Sequence, residues 1–441
     1  MALDAAWVPP LVLLLTLVAQ GVWPAARVLC VLSGAGVAAL WTALTGRATL
    51  AQLLEAVPWD VLVMLVGLGL FSEVMAETRV FGVLAARATR LAGATPARVL
   101  LAFCAGMFVV SGVVNNLTAL LLVLPVLLVV LQLMAVDRRY TSWILGTMLV
   151  ACNLGGAATP IGDFPAVLLL SGGRMDFSTY LVAAFPVATT ALLLTLVLVY
   201  LRRPWTGMPD HPASGPLAVE VMGALYRRVT PRRGLLVACV LILVAMFAAW
   251  MLVPLSSGVT PDLVAFFGAM VALWLVPARG EVMLRRRVDV EAALFLMALF
   301  LMVGAVRSTG VFADLSRILL GLGLGEAGLR VVLVLAAMGV TAVFSAGPGM
   351  AALLEVADAV ARQSDSPQVV YVGLAMGVCA GSSMLLTAAT SGPLAQSLTE
   401  RAALRDPNDA PIGFGARDHL APGMMGAAVT MAVALGYVLL F

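Results

Sequence analysis

Two polar interruptions inside long apolar runs constrain this chain more than any other feature: Val109-Val-Ser-Gly-Val-Val-Asn-Asn-Leu-Thr-Ala-Leu120 and Cys152-Asn-Leu-Gly-Gly-Ala-Ala-Thr-Pro-Ile-Gly-Asp163. Lipid gives an amide, a hydroxyl or an opened backbone no hydrogen-bonding partner, so both stretches must face protein or an internal cavity. Lipid is the relevant solvent because 62% of the residues are hydrophobic, 11% are charged and the mean hydropathy is +1.06. That is too much apolar surface for soluble domains of 441 residues. The expected class is an all-α polytopic membrane protein.

Every one of the 26 basic residues is Arg, and the net charge is only +3. They lie mostly between apolar runs, which argues against nucleic acid as a partner and makes them markers of topology. Cys30, Cys104, Cys152, Cys239 and Cys379 stand singly in apolar segments without metal-ligand spacing, and read as packing residues. Met1 to Pro10 lacks the basic start of a signal peptide, so the first apolar run is expected to be a retained helix.

Runs long enough for a helix to cross about 30 Å of hydrocarbon lie near 8–24, 27–44 and 58–76. Arg79 to Leu91 mixes Arg79, Arg87 and Arg90 with Val80, Phe81, Val83 and Leu84, the pattern of an interfacial amphipathic helix. Runs 96–113 and 116–134 flank the first interruption, and Thr141 to Leu170 reads as one helix broken around Gly155, Gly156 and Pro160. Run 177–201 closes a first repeat at 1–201, and the Arg-, Pro- and Gly-containing segment 202–233 reads as a cytoplasmic linker.

The order then recurs over 234–441. Asp289 to Val306 aligns without gaps to Pro58 to Met75 at an offset of 231, so that Asp60 meets Glu291. Val343-Phe-Ser-Ala-Gly-Pro-Gly-Met350 falls on the first interruption at offset 234, and Cys379 to Ser391 takes the place of the second. Each repeat holds about five crossings, a re-entrant pair of arms around its tip, and a broken helix. An odd number of crossings inverts the second copy, and most arginines then fall on the linker side, with Arg307, Arg317 and Arg330 on the other.

Inverted repeats with interrupted helices form midplane sites in secondary transporters. Here Ser111, Asn115, Asn116 and Thr118, with Asn153, Thr159 and Asp163 and the carbonyls freed around Gly155, Gly156 and Pro160, offer an oxygen cage. Asn116, Asn153 and Thr159 are candidate ligands of a dehydrated Na⁺. Helix ends with unsatisfied N–H groups suit an anion. The second copy offers Ser345, the backbone of Gly347 and Gly349, and Ser382, Ser383 and Thr387. Asp163 also suits a helix cap, while Asp60, Glu291, Glu73 and Glu77 suit span ends. Glu355 and Asp358, three apart on one helical face, read either as a proton relay with Asp163 or as an entrance rim. His211 and His419 read as structural.

The pair Ser111-Gly-Val-Val-Asn-Asn-Leu-Thr118 and Asn153-Leu-Gly-Gly-Ala-Ala-Thr-Pro-Ile-Gly-Asp163 resembles the signature of the ion transporter superfamily, which includes arsenite permeases, sodium/proton antiporters and divalent anion/sodium symporters such as citrate carriers. The resemblance in element order covers nearly the whole chain, with a weaker motif match in the second half. Arsenite permeases and the related antiporters usually carry Asp-Asn at the first tip, where this chain has Asn115-Asn116; the second tip is Gly347-Pro348-Gly349 in place of an Asn-containing one. The resemblance implies a homodimer in the inner, or plasma, membrane. The leading expectation is therefore a non-enzymatic secondary transporter, without cofactors, that moves a small anion with Na⁺ or H⁺. A sodium/proton antiporter using Asp163 is the alternative, and a receptor or scaffold on the same fold is a third reading.

Overall fold

The computed structural model describes residues 6–441 apart from 24–25, 82, 85–86, 88–94, 172, 207–230, 254–257, 287, 289, 390 and 407. The first half supplies α1 (Val8–Val22), α2 (Arg27–Leu44), α3 (Leu50–Glu55), α4 (Trp59–Glu77), α5 (Pro96–Ser111), α6 (Asn116–Leu133), α7 (Arg138–Ala158), α8 (Phe164–Ser171) and α9 (Phe177–Arg202). The second supplies α10 (Arg233–Leu252), α11 (Pro261–Trp274), α12 (Pro277–Arg286), α13 (Val290–Arg307), α14 (Val311–Leu320), α15 (Glu326–Phe344), α16 (Ala346–Ala361), α17 (Pro367–Met384), α18 (Gly392–Ala402) and α19 (Ala416–Leu440). Among the described residues the only β pairing is an isolated bridge between Arg405 and Pro411. Nine of these helices are long and apolar enough to cross a membrane, so the chain is a multi-pass membrane protein.

Local chemistry sets the helix starts. Proline opens α5, α11 and α17, where its missing N–H costs nothing. Asn115 and Asp137 cap α6 and α7 by accepting from the amides of Leu117 and Tyr140, each at 2.8 Å. The recurrence in sequence is a recurrence of elements: α4 reappears as α13, α5 and α6 as α15 and α16, α7 and α8 as α17 and α18, and α9 as α19.

The two halves exchange partners, since α2 packs along α13 and α4 along α11. Gly67 makes the second seam close, because an added methyl there would lie 3.2 Å from the Ala265 backbone. Polar contacts locate the two ends of the bundle. Arg27 pairs with Glu291 at 3.6 Å, Arg138 with Asp418 at 3.0 Å, and Arg202 stacks over the Trp143 ring at 5.8 Å. At the opposite end Arg174 pairs with Asp358 at 2.8 Å and Arg307 with Glu355 at 3.6 Å. Helix α9, about 39 Å long at 1.5 Å per residue, runs from beside Arg174 to Arg202 and so joins the two ends.

Each tip belongs to a hairpin that leaves by the end it entered. Tyr140 Oη donates to the Pro96 carbonyl at 2.7 Å, and a short turn joins α6 to α7, so α5 and α6 both open at the Arg138 end. Arg330 Nη2 donates to Ser364 Oγ at 2.8 Å, which places the start of α15 beside the end of α16 at the Arg174 end. The hairpins therefore point in opposite directions, and the second copy is inverted.

Several expectations need adjustment. Of the three residues expected to break the first helix, Gly155 and Gly156 are helical, and the break lies around Pro160 at 159–163, where Thr159 is extended. Arg307, Arg317 and Arg330 lie at positions that each provide an acidic partner, namely Glu355, Asp314 and Glu326. Glu291 is indeed at a span end, paired with Arg27. Most of the expected linker at 202–233, with His211, and part of the expected amphipathic helix at 79–91, with Arg90, lie outside the described residues.

The inversion has a direct test. Arg139 and Gln363 are exposed beside the open ends of the two hairpins. A membrane-impermeant thiol reagent is expected to label Arg139→Cys and Gln363→Cys from opposite faces of sealed vesicles. Labelling of both from one face would contradict the arrangement.

Candidate functional site

The first tip and the first break are built as one unit. Ser111, the last residue of α5, donates its hydroxyl to the Asn116 side-chain oxygen and to the Cys152 carbonyl, the latter at 2.7 Å. Thr159 Oγ1 donates to the Gly112 carbonyl at 2.7 Å, fastening the end of α7 to the tip. The tip can come this close because α7 presents glycine. A methyl added to Gly155 would meet the Phe108 carbonyl carbon at 2.9 Å, and one added to Gly156 would meet Asp163 Cβ at 2.8 Å and Asn116 Nδ2 at 2.9 Å. The two glycines read as the break are thus the surface on which the tip rests.

Asp163 caps α8, accepting from the Phe164 amide at 2.9 Å. It is half-buried, stands beside the Asn116 amide, and has no arginine partner among the described residues. Asn116 Nδ2 is buried and makes no hydrogen bond of ordinary geometry, although it lies beside Asp163. This corner therefore holds a carboxylate and an unspent amide donor in an apolar surround, where unpaired polar groups are costly.

The second break spans 385–391, between the end of α17 and the start of α18. Ser382 and Ser383 turn their hydroxyls back onto the Cys379 carbonyl, each at 2.9 Å. Ser383 Oγ also accepts from Asn153 Nδ2 at 3.1 Å, a side-chain bond between α17 and α7 and hence between the two halves. His419, at the start of α19 and almost fully buried, brings its Nε2 to 3.0 Å from the Ser383 carbonyl. Gly423 allows this approach, because a methyl there would lie 2.7 Å from the same carbonyl.

The second tip is tighter than the first. Only Ser345 separates α15 from α16, and it adopts φ 74°, a conformation uncommon for a residue with a Cβ. No side chain caps α16, whose first turn carries N–H groups at Ala346 and Gly347 but none at Pro348. Gly347 lies toward the first break, for a methyl added to it would lie 3.8 Å from the Phe164 ring.

The structure thus gathers Ser111, Asn116, Asn153, Gly155, Gly156, Thr159 and Asp163 with Ser383, and brings Gly347 beside Phe164. Asn115 is engaged as the cap of α6, Thr118 lies half-buried in its first turn, and Pro160 is buried within the break. Gly349 packs on the Thr341 side chain, with an added methyl 3.1 Å from Thr341 Cα. Thr387 is exposed. Glu355 and Asp358 lie in ion pairs with Arg307 and Arg174 at the Arg174 end, and Tyr371 Oη donates to Asp358 at 3.0 Å. Both carboxylates therefore face arginines at the Arg174 end, the place an entrance rim would occupy. Cys152, read as inert packing, contributes the carbonyl that holds Ser111; only its place in the second polar stretch could have signalled this.

The family profile described as "CitMHS: Citrate transporter" matches residues 12–260, more than half of the sequence. The chain belongs to the citrate transporter family. An uncharacterized transporter of Mycobacterium tuberculosis is 31% identical over 266 residues, which are 59% of each chain, so this chain spans 59% of that relative's length. The magnetosome protein MamN of Paramagnetospirillum magneticum is 28% identical over 381 residues, covering 85% of this chain and 84% of its own. The crystal structure of the Alcanivorax borkumensis YdaH transporter superposes with a TM-score of 0.53 at 14% identity, covering 91% of this chain and 87% of that one, a likeness of fold. In this family member the matched region carries the first tip and the first break.

Close packing of tip on glycine makes a stability prediction. Gly155→Ala is expected to destabilise the protein by about 1–3 kcal/mol through overpacking, whereas Gly106→Ala on α5, with nothing within 4 Å of the added methyl, should not. Thermal unfolding of the two purified variants distinguishes them, and equal behaviour would contradict the packing described.

Proposed function

We propose that this member of the citrate transporter family is an ion-coupled secondary transporter of the inner, or plasma, membrane that moves a small anion with Na⁺ or H⁺ by alternating access. One observation carries the reading: two helices broken at corresponding places, in oppositely directed halves, meet through Asn153 and Ser383. Freed helix ends then converge on one region. The uncapped start of α16 offers amides to an anion, while Asn116, Asn153, Thr159 and Asp163 offer oxygens to a coupling cation. The remaining candidates, Ser111, Gly155 and Gly156, position these groups rather than bind. The arginines that gather at the Arg138 end make that end cytoplasmic.

Asp163 supports a second reading. It is a carboxylate without an arginine partner inside the cluster, and in a sodium/proton antiporter it would be the group that alternates between a proton and Na⁺. The two readings part on one substitution. In liposomes with an imposed Na⁺ gradient and an internal pH dye, anion symport predicts no proton movement driven by Na⁺ alone. Asp163→Asn should then lower anion flux while leaving anion binding. Na⁺-driven proton movement that Asp163→Asn abolishes would overturn anion symport and establish the antiporter.

A further inference from the structure

Arg174, in the loop after α8, and Arg307, the last residue of α13, lie far apart in sequence, yet both line one cavity of about 120 Å³ at the Arg174 end. It lies between α4, α8, α13 and α16, with apolar walls from residues such as Pro58, Leu168 and Phe300, and its charged groups are Arg174, Arg307 and Glu355. Arg174 commits Nε and Nη2 to Asp358, each at 2.8 Å, and that pairing leaves its Nη1 unspent. Arg307 meets Glu355 at 3.6 Å, an ion-pair distance beyond a good hydrogen bond. A guanidinium has five donors in a planar fork suited to carboxylate, and Arg307 uses none of them in that pair.

The cavity leads toward the candidate site. Leu168 lies on α8 little more than one turn beyond Asp163, and the Phe164 and Phe300 rings stand between, their centroids 6.3 Å apart. Gly347 flanks Phe164 with room to spare, because a methyl there would be in ordinary contact at 3.8 Å. Inward from the Arg174 end the order is therefore guanidinium groups, an apolar chamber, an aromatic pair, and the polar cluster. Other features carry less: the groove between α10 and α11 is lined by apolar residues alone, and His419 already has its partner in Ser383.

We propose that this cavity is the vestibule through which a small carboxylate anion reaches the site from the Arg174 end, with Arg307 as its capturing residue and Glu355 as an internal placeholder that the anion displaces. The proposal deepens the transport reading and rests on it for the path beyond the aromatic pair. A carboxylate already stands opposite Arg307, so the position accommodates that group. A free carboxylate can approach the fork in the bidentate geometry that Glu355, at 3.6 Å, does not reach. Displacing Glu355 frees a negative charge at the same mouth, where it can attract the coupling cation.

The test uses a probe cysteine in the purified full-length protein in detergent, where both ends are open to reagent. Gly304 lines the cavity and accepts a side chain, with Leu53 at 3.6 Å and Ala56 at 3.8 Å from the added methyl. Ala56, exposed and also in the lining, gives an independent second position. The wild-type protein, whose free cysteines are buried or half-buried, serves as blank. At Gly304→Cys and at Ala56→Cys the ratio of anionic to cationic methanethiosulfonate reaction rates is expected to exceed that of a free thiol in solution about fivefold. Adding Arg307→Gln should bring that ratio below the free-thiol value, and adding Glu355→Gln should raise it. At constant ionic strength, citrate, succinate or acetate should slow the labelling, and Arg307→Gln should remove the protection.

An anionic-to-cationic rate ratio no higher than that of the free thiol, a ratio indifferent to Arg307→Gln, probe cysteines that neither reagent reaches, or protection by none of the three carboxylates would overturn the vestibule. Flux in liposomes separates the two levels. Labelling governed by Arg307 without flux of any anion supports the binding cavity and defeats the transport reading. Carboxylate flux with labelling indifferent to Arg307 defeats the vestibule alone.

Discussion

A helix that stops inside a membrane leaves its last carbonyls and the next helix's first amides without partners, and no water is at hand to supply them. The rest of this structure depends on how that deficit is met. At the first break Thr159 reaches the tip carbonyl of Gly112, Asp163 accepts the amide that opens α8, and Tyr180 Oη donates to the Ala157 carbonyl at 2.9 Å. At the second, His419 meets the carbonyl of Ser383. Asn153 and Ser383 then join the breaks directly, so that each half satisfies groups the other exposes.

Such contacts require backbones to approach closely, and in lipid that comes from small residues rather than from hydrophobic expulsion. Gly155, Gly156, Gly377, Gly381 and Gly423 all lie where an added methyl would meet another segment at less than 3 Å. They form continuous seams: Gly377 sits on Val334 and Gly381 on the Met338–Ala342 stretch, so α15 rests on α17 as α5 rests on α7. The same device at corresponding places makes two hairpins stop midway, with their tips directed toward one another from opposite ends. The outer helices are arranged differently, each of α2 and α4 pairing with a helix of the other half. That exchange holds the inverted copies together at a distance from the polar cluster.

Much of this was legible in the sequence because the constraint is chemical. Asn115-Asn116 and Thr159 to Asp163 are polar stretches that lipid cannot solvate, and the recurrence at offsets of 231 and 234 put the second copy in register. The sequence places the break around Gly155, Gly156 and Pro160, of which Pro160 alone lies in it, since composition does not separate a glycine that ends a helix from one that admits a neighbour. The Phe108 carbonyl decides between those roles, and only the fold brings it there. Arg174 and Arg307 illustrate the converse: as isolated arginines near the ends of apolar runs they carry topology information alone, and their convergence depends on the inversion. The second tip was the least legible, because Ser345 turns the chain in a single residue and leaves backbone where the first tip has amides.

The most direct test of a shared site is a double-mutant cycle across its central contact. Unidirectional anion flux in liposomes would be measured for Asn153→Ala, Ser383→Ala and the double variant. If the two breaks act as one unit, the double variant should transport no worse than the poorer single one, because either substitution already removes the bond. Losses that simply multiply would mean that the two residues act independently, and would contradict a single site formed between the halves.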